Sequence, residues 1–236
     1  MKPRIIVGAM LSLTALTLVS CATYTPSLVK MDPYGPNAGK KNNGDLCLYV
    51  EEYATPAKSE KAFDTNLIKE GVLSLLVQVQ NNGSQPYEVK PMDIIIREGD
   101  ALIKALTPEQ AAAKAKRNPV WRAVGWGMVV PIITIPVAVA ASAAHTNKVN
   151  KQIQQDFATK GFTDGIIMPN KEQSGFLFFE LGKGRKDLGG LSLELTAKNQ
   201  VTGEPLTIAT PLPALTFKPV KEVKPQEEPT EDGKER

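Results

Sequence analysis

The sequence predicts a mainly β protein: an antiparallel sandwich of seven or eight short strands, interrupted by an apolar α-helical insertion. Three observations predict it. Short β-rich runs separated by turn residues recur on both sides of the middle of the chain. A strong helix-start signal stands at Thr107. From it follows a polar helix, then a run of twenty-two residues (123–144) without a charge.

The elements follow in order. Residues 46–53, in "GDLCLYVEEY", alternate as a strand does, which makes Cys47 a small buried side chain. Residues 72–80 alternate and are β-rich; "NNGSQP" supplies turn chemistry, and 87–99 form a second run ending at Gly99-Asp100. "TPEQ" then puts Thr107 at an N-cap, Pro108 at the first helical position and Gln110 where a capping box needs it. That helix runs to about Arg117, where Asn118-Pro119 stops it. A second helical piece covers 120–130, "PIITIP" connects, and a third covers about 137–159. Along the third piece Ala141, His145, Val149, Ile153 and Phe157 recur every four residues. Strands return near Ile166, in "SGFLFFEL", in "GLSLELTAKN" and in "EPLTIAT", the last two joined by the hairpin loop "NQVTGE".

The uncharged run is long enough to span a bilayer: twenty-two residues as unbroken helix reach about 33 Å, against a hydrocarbon core of about 30 Å. Its composition opposes a plain span. Pro131 and Pro136 each cost about 3 kcal/mol inside an isolated helix, and its eight Val and Ile residues return only about 2–5 kcal/mol of insertion free energy. Two readings remain. The helical pieces fold back as a hairpin that caps the sandwich, or they engage the membrane or a second copy. In the second reading Gly127 and the pair Ala140 and Ala144 offer small-residue spacing, and Trp121 and Trp126 form an interfacial belt.

The chain begins "MKPRIIVGAMLSLTALTLVSCATY". Lys2 and Arg4 precede an apolar run too short for a transmembrane helix, the layout of a secretory signal peptide over 1–20. The run closes on Leu18, Val19, Ser20 and Cys21, which resembles the bacterial lipobox. The resemblance implies cleavage between Ser20 and Cys21, diacylglycerol on the Cys21 thiol and acylation of the new amino terminus. Several chains hold a protein at a bilayer where one does not, because each buried methylene contributes about 0.8 kcal/mol. Ala22, where aspartate would signal inner-membrane retention, implies the outer membrane and its periplasmic face. In an envelope with one membrane the same residues imply its outer leaflet. Removing Lys2 and Arg4 lowers the net charge from +3 to +1, which is no footprint for nucleic acid.

Residues 21–44 read as a flexible lipidated tether and 218–236 as a disordered charged tail, leaving a domain over 45–217 with its helical insertion at about 107–161. Within that domain "VQVQNNGSQPYEV" resembles the strand–loop–strand opening of immunoglobulin-like domains in bacterial envelope lipoproteins. That likeness implies an immunoglobulin-like sandwich, although no Cys–Trp–Cys arrangement accompanies it.

Catalytic chemistry is not legible. His145 is the single histidine, and no His, Cys and Asp residues fall at metal-ligand spacing, so neither a metal nor any cofactor beyond the lipid is expected. "ELGKGRKDLGG" lacks the phosphate-loop spacing and leads into a strand, so it reads as a basic turn. Glu51 and Glu52 are adjacent on a strand and point to opposite faces, which keeps them from acting as a pair. The expected function is therefore non-enzymatic: a structural or accessory component of a cell-envelope assembly, with membrane and protein partners. The alternative is a homo-oligomer whose apolar hairpins form an export conduit; a third class is a carrier of apolar ligands.

Overall fold

The computed structural model describes residues 24–30, 38–116, 135–183, 185 and 187–215, of which Ala38 and 135–146 are described in backbone alone. The fold is mainly antiparallel β. Ten strands appear among the described residues: β1 (Ala38–Asn43), β2 (Leu46–Glu52), β3 (Val72–Asn81), β4 (Tyr87–Val89), β5 (Ile94–Glu98), β6 (Ala101–Leu106), β7 (Gly165–Ile167), β8 (Glu172–Glu180), β9 (Leu191–Asn199) and β10 (Pro205–Pro211). Three helices accompany them: α1 (Pro56–Phe63), α2 (Pro108–Ala115) and α3 (Ile135–Lys160).

The strands form two sections joined through β6. The first runs β1-β2-β3-β8, and the C-terminal end of β6 (Ala105 and Leu106) pairs with β8. The N-terminal part of β6 pairs instead with β5 across the tight Gly99-Asp100 turn, and β5 leads to β9, with β10, β4 and β7 completing the second section. One core fills the space shared by the two: Leu48, Leu75, Val77, Leu177 and Phe179 from the first meet Ile94, Ile96, Leu193, Leu195 and Ile208 from the second.

β3 and β8 are buried on both faces. Leu73, Leu75, Val77 and Val79 of β3 enter that shared core, whereas Val72 and Leu76 enter a second core on the opposite face, together with Phe176 and Phe178 of β8. The period of two assigns each strand's odd and even side chains to separate layers. The second core is closed by the three helices, through Ala62 and Phe63 of α1, Ala111, Ala112 and Ala115 of α2, and Val149, Ile153 and Phe157 of α3.

Several expectations hold. Thr107 caps α2: its Oγ1 accepts from Gln110 N at 3.3 Å while Gln110 Oε1 accepts from Thr107 N at 2.9 Å. The four-residue recurrence along the third helical piece is the buried stripe Val149, Ile153 and Phe157. β9 and β10 are the expected hairpin, and Cys47 is a buried free thiol.

Others are revised. Residues 38–43, read as part of a tether over 21–44, form β1 and pair along the whole of β2. The strand count is ten among the described residues rather than seven or eight. The long run at 87–99 is two strands separated by a 3-10 turn at Pro91–Asp93, because a proline cannot donate to the ladder. The first helix of the insertion stops at Ala115, two residues short of the expected end. Of that insertion, 117–134 lie outside the described residues; so do 1–23, with Ser20 and Cys21, and the tail from 216 onward.

Candidate functional site

Among the described residues, the helical layer over β3 and β8 carries a dense set of caps, ring contacts and ion pairs. α1 is only two turns long, yet its ends are fixed: Thr55 accepts from Lys58 N at 3.4 Å, Pro56 occupies the first turn, and Asp64 closes it in the left-handed region (φ 51°). Its buried Ser59 donates to Thr65 O at 2.7 Å and accepts from Leu67 N at 3.0 Å, so the chain leaving the helix is bound back onto it. These contacts aim Phe63 into a cluster of rings: Phe157 and Phe176 with centroids at 4.8 Å and Phe178 at 5.5 Å.

On this layer lies the N-terminal segment, residues 24–30. Tyr24 and Val29 are partly buried against the second core. Tyr24 Oη donates to Asp156 Oδ2 of α3 at 2.6 Å, and Lys160 Nζ donates to the same oxygen at 2.8 Å. Lys160 also donates to Ala62 O and stands 5.4 Å above the Phe63 ring, with its side chain 8% exposed. Ser27 N donates to Lys61 O at 2.8 Å and Thr25 N to Asp64 Oδ2 at 3.3 Å. A tyrosine hydroxyl on a carboxylate that already holds a lysine is a charge-assisted arrangement, stronger than a neutral hydrogen bond.

A second polar cluster gathers around Glu51 and Glu52, the last two residues of β2. Both carboxylates reach Lys58 Nζ, at 3.3 and 2.9 Å. Both are still in register with β3, opposite Leu76 and Leu75, and they share one partner because α1 carries the long side chain of Lys58 over the end of the strand. Lys58 further donates to Glu52 O, and Ala54 N donates to Glu52 Oε2, so the group closes on itself. Burial, reinforced by the charges of Glu51 and Glu52, pushes the adjacent Tyr53 hydroxyl up to about 12. Lys58 stands 5.6 Å above the Tyr53 ring.

The basic turn after β8 is tied down as well. Arg185 makes a paired contact with both oxygens of Glu98 (3.0 and 2.9 Å), which holds that carboxyl below the usual carboxylate range, and Lys183 reaches Glu70 at 3.1 Å. An apolar cleft of about 230 Å³ opens where β6 crosses between the two sections, with Met92, Leu106, Pro108, Phe162 and Phe176 on its walls and Asp164 at the rim. It is smaller than the roughly 300–1,000 Å³ of ordinary small-molecule sites. Among the described residues no group of three or more His, Cys, Asp and Glu stands ready to hold a metal ion.

The sequence-predicted site residues are not gathered into one place that can be described. Ala140 and Ala144 lie on α3, as does His145; Ser20, Cys21, Trp121, Trp126 and Gly127 lie outside the described residues. No helix among the described residues is long and apolar enough to cross a membrane. What sequence reasoning missed is the docked segment at 24–30 and the Glu51–Glu52–Lys58 group. The only signal for either was local: Tyr24 and Val29 as apolar residues in a polar stretch, and the Thr55-Pro56 pair that repeats the Thr107-Pro108 helix start.

No protein-family model and no curated protein matches the chain. Solved structures are similar to it at low identity, three of which follow. One is a putative lipoprotein (ycdA) from Bacillus subtilis, 16% identical with a TM-score of 0.36, matched over 73% of this chain but 38% of its own length. The yjhA protein from Bacillus subtilis is 10% identical with a TM-score of 0.32, over 72% of this chain and 93% of its own. A protein of unknown function from Listeria monocytogenes is 11% identical with a TM-score of 0.32, over 81% and 91%.

Proposed function

We propose that this chain is a lipid-anchored, non-enzymatic component of a cell-envelope assembly, held at the outer membrane through Cys21 and presenting an immunoglobulin-like β-sandwich to the periplasm. The observation that carries the reading is the lipobox-like Leu18-Val19-Ser20-Cys21 closing a charged-then-apolar leader. Two features support a structural role. The part-buried charged groups under the helical layer, Glu52, Lys58, Asp156 and Lys160, are satisfied by one another and by backbone atoms. The one cleft described above is small and lined mainly by apolar side chains.

The test is to express the full chain with its own leader in a diderm bacterium and to isolate the N-terminal peptide for mass spectrometry. Diacylglycerol on Cys21 is expected, with cleavage after Ser20. Cys21→Ser is expected to retain residues 1–20 and to lose the acyl mass. An unmodified Cys21 in a processed wild-type chain overturns the reading.

A further inference from the structure

Residues 24–30 are joined to Cys21 by only three peptide steps, so Tyr24 cannot lie more than about 11 Å from the anchored residue. A free spacer over the whole of 21–44 would instead place the domain at an r.m.s. distance of about 26 Å. Tyr24 is not free: it is bound to Asp156 at 2.6 Å and, with Val29, packs against the second core, while Ser27 N is bound to Lys61 O at 2.8 Å. The surface so placed is basic. Lys30 on the segment, Lys61 on α1 and Lys148 and Lys151 on α3 are exposed, against Glu60 exposed on α1 and Asp64 half-buried at its C-cap, where it accepts from Thr25 N; Asp156 is taken up by Tyr24 and Lys160.

We propose that residues 24–30 are a docking strap that holds the helical layer of α1 and α3 against an anionic lipid surface, so that the protein lies on its membrane helices-down with the β5–β9 section turned away. The proposal rests on the lipidation of Cys21 and adds an orientation to it. Basic side chains close to an anionic bilayer are attracted to it, and the short covalent link keeps Tyr24, and with it the helical layer on which it docks, near that surface. Burial of Tyr24 and Val29 fixes which face is presented; the lipid alone would not.

The test uses the full lipidated chain reconstituted into vesicles of phosphatidylethanolamine and phosphatidylglycerol in a 3:1 ratio, with an energy-transfer acceptor on a lipid headgroup. Donors are placed singly at Lys151→Cys on α3 and at Val201→Cys in the turn between β9 and β10; Cys47 is buried and stays unlabelled. The α3 donor is expected to be at least about 10 Å nearer the headgroups, the spacing of one packed sheet layer. Tyr24→Ala with Val29→Ser is expected to abolish the difference. Because that pair touches the second core, a further variant inserts six Gly and Ser residues between Ala22 and Thr23, leaving every described contact intact. It is expected to leave the bound strap in place while shifting both donors outward together. Equal transfer from the two positions in the wild-type chain overturns the strap, as does a difference that survives Tyr24→Ala/Val29→Ser in a protein that still folds. A chain whose mass shows no acyl group on Cys21 sinks the anchor itself, a separate outcome read before any transfer is measured.

Discussion

Phe63 is the side chain on which the helical layer turns, and its truncation can be worked through. It is fully buried and meets three rings, two at 4.8 Å and one at 5.5 Å, with the Lys160 ammonium 5.4 Å from its own ring. Phe63→Ala removes the transfer free energy of the ring and leaves a cavity that three aromatic side chains cannot easily refill, a change that costs about 3–5 kcal/mol. The ring pairs contribute beyond their area, which places this site near the top of that range, about 4–5 kcal/mol. For a chain of this size that loss lowers the melting temperature by about 10–20 °C. The assay is equilibrium guanidinium denaturation of the form beginning at residue 22, followed by hydrogen exchange on the native state. Protection should fall first at α1 and at the 149–157 stretch of α3, while β5 and β9, which face only the other core, keep theirs. A cost below about 1.5 kcal/mol, or a uniform loss of protection, would refute the reasoning that the two cores are separately packed layers.

Tyr53 gives a pH dependence. Its hydroxyl is raised from 10.0 to about 12 in the fold, so the folded chain keeps a proton that the unfolded chain releases between those values. The associated stability is complete below pH 10 and is lost as pH rises toward 12, on the order of 2–3 kcal/mol; denaturation at pH 9 and 11 should show Tyr53→Phe losing less than wild type. Gly71 sits at φ 80°, and a Cβ there would lie 2.9 Å from the Gly182 carbonyl carbon, so Gly71→Ala should cost at least about 2 kcal/mol in urea unfolding. Cys47 is 1% exposed, so its reaction with an aromatic disulfide reagent should be undetectable in native buffer and appear at the denaturation midpoint.

What could be read from the sequence was what is encoded locally. The capping box at Thr107 needs four consecutive residues, and all four are present. The β9–β10 hairpin needs two alternating runs and a turn between them. β1 could not be found that way: "AGKKNN" has neither β propensity nor alternation, and the strand exists because the edge of β2 offers it a full register from Ala38↔Glu51 to Asn43↔Leu46. α1 escaped notice because eight residues with a mostly polar surface show little periodicity, and its worth lies in three buried positions, Ser59, Ala62 and Phe63. The Glu51–Lys58–Glu52 group was invisible for a related reason: Lys58 comes from that same unannounced helix, and strand alternation says nothing of a cation that bridges the strand's end. The docked strap depends on Asp156, 132 positions downstream of Tyr24, and no local pattern carries such a pairing.

The pairing of β3 with β8 sets the order in which this chain can become native. β3 ends at Asn81 and its partner begins at Glu172, so the central ladder closes a loop of some ninety residues before it gains any cross-strand contact. Closure of that kind is slow, and folding rates fall as such distant pairings come to dominate. Phe176 and Phe178, which seat all three helices, arrive on β8 itself. While synthesis is still short of residue 180, then, β3 has an open edge and α1 lacks the Phe176 and Phe178 part of its seat. During that interval the chain is vulnerable to association through the bare edge of β3, and it is also still extended enough to be threaded through a narrow channel.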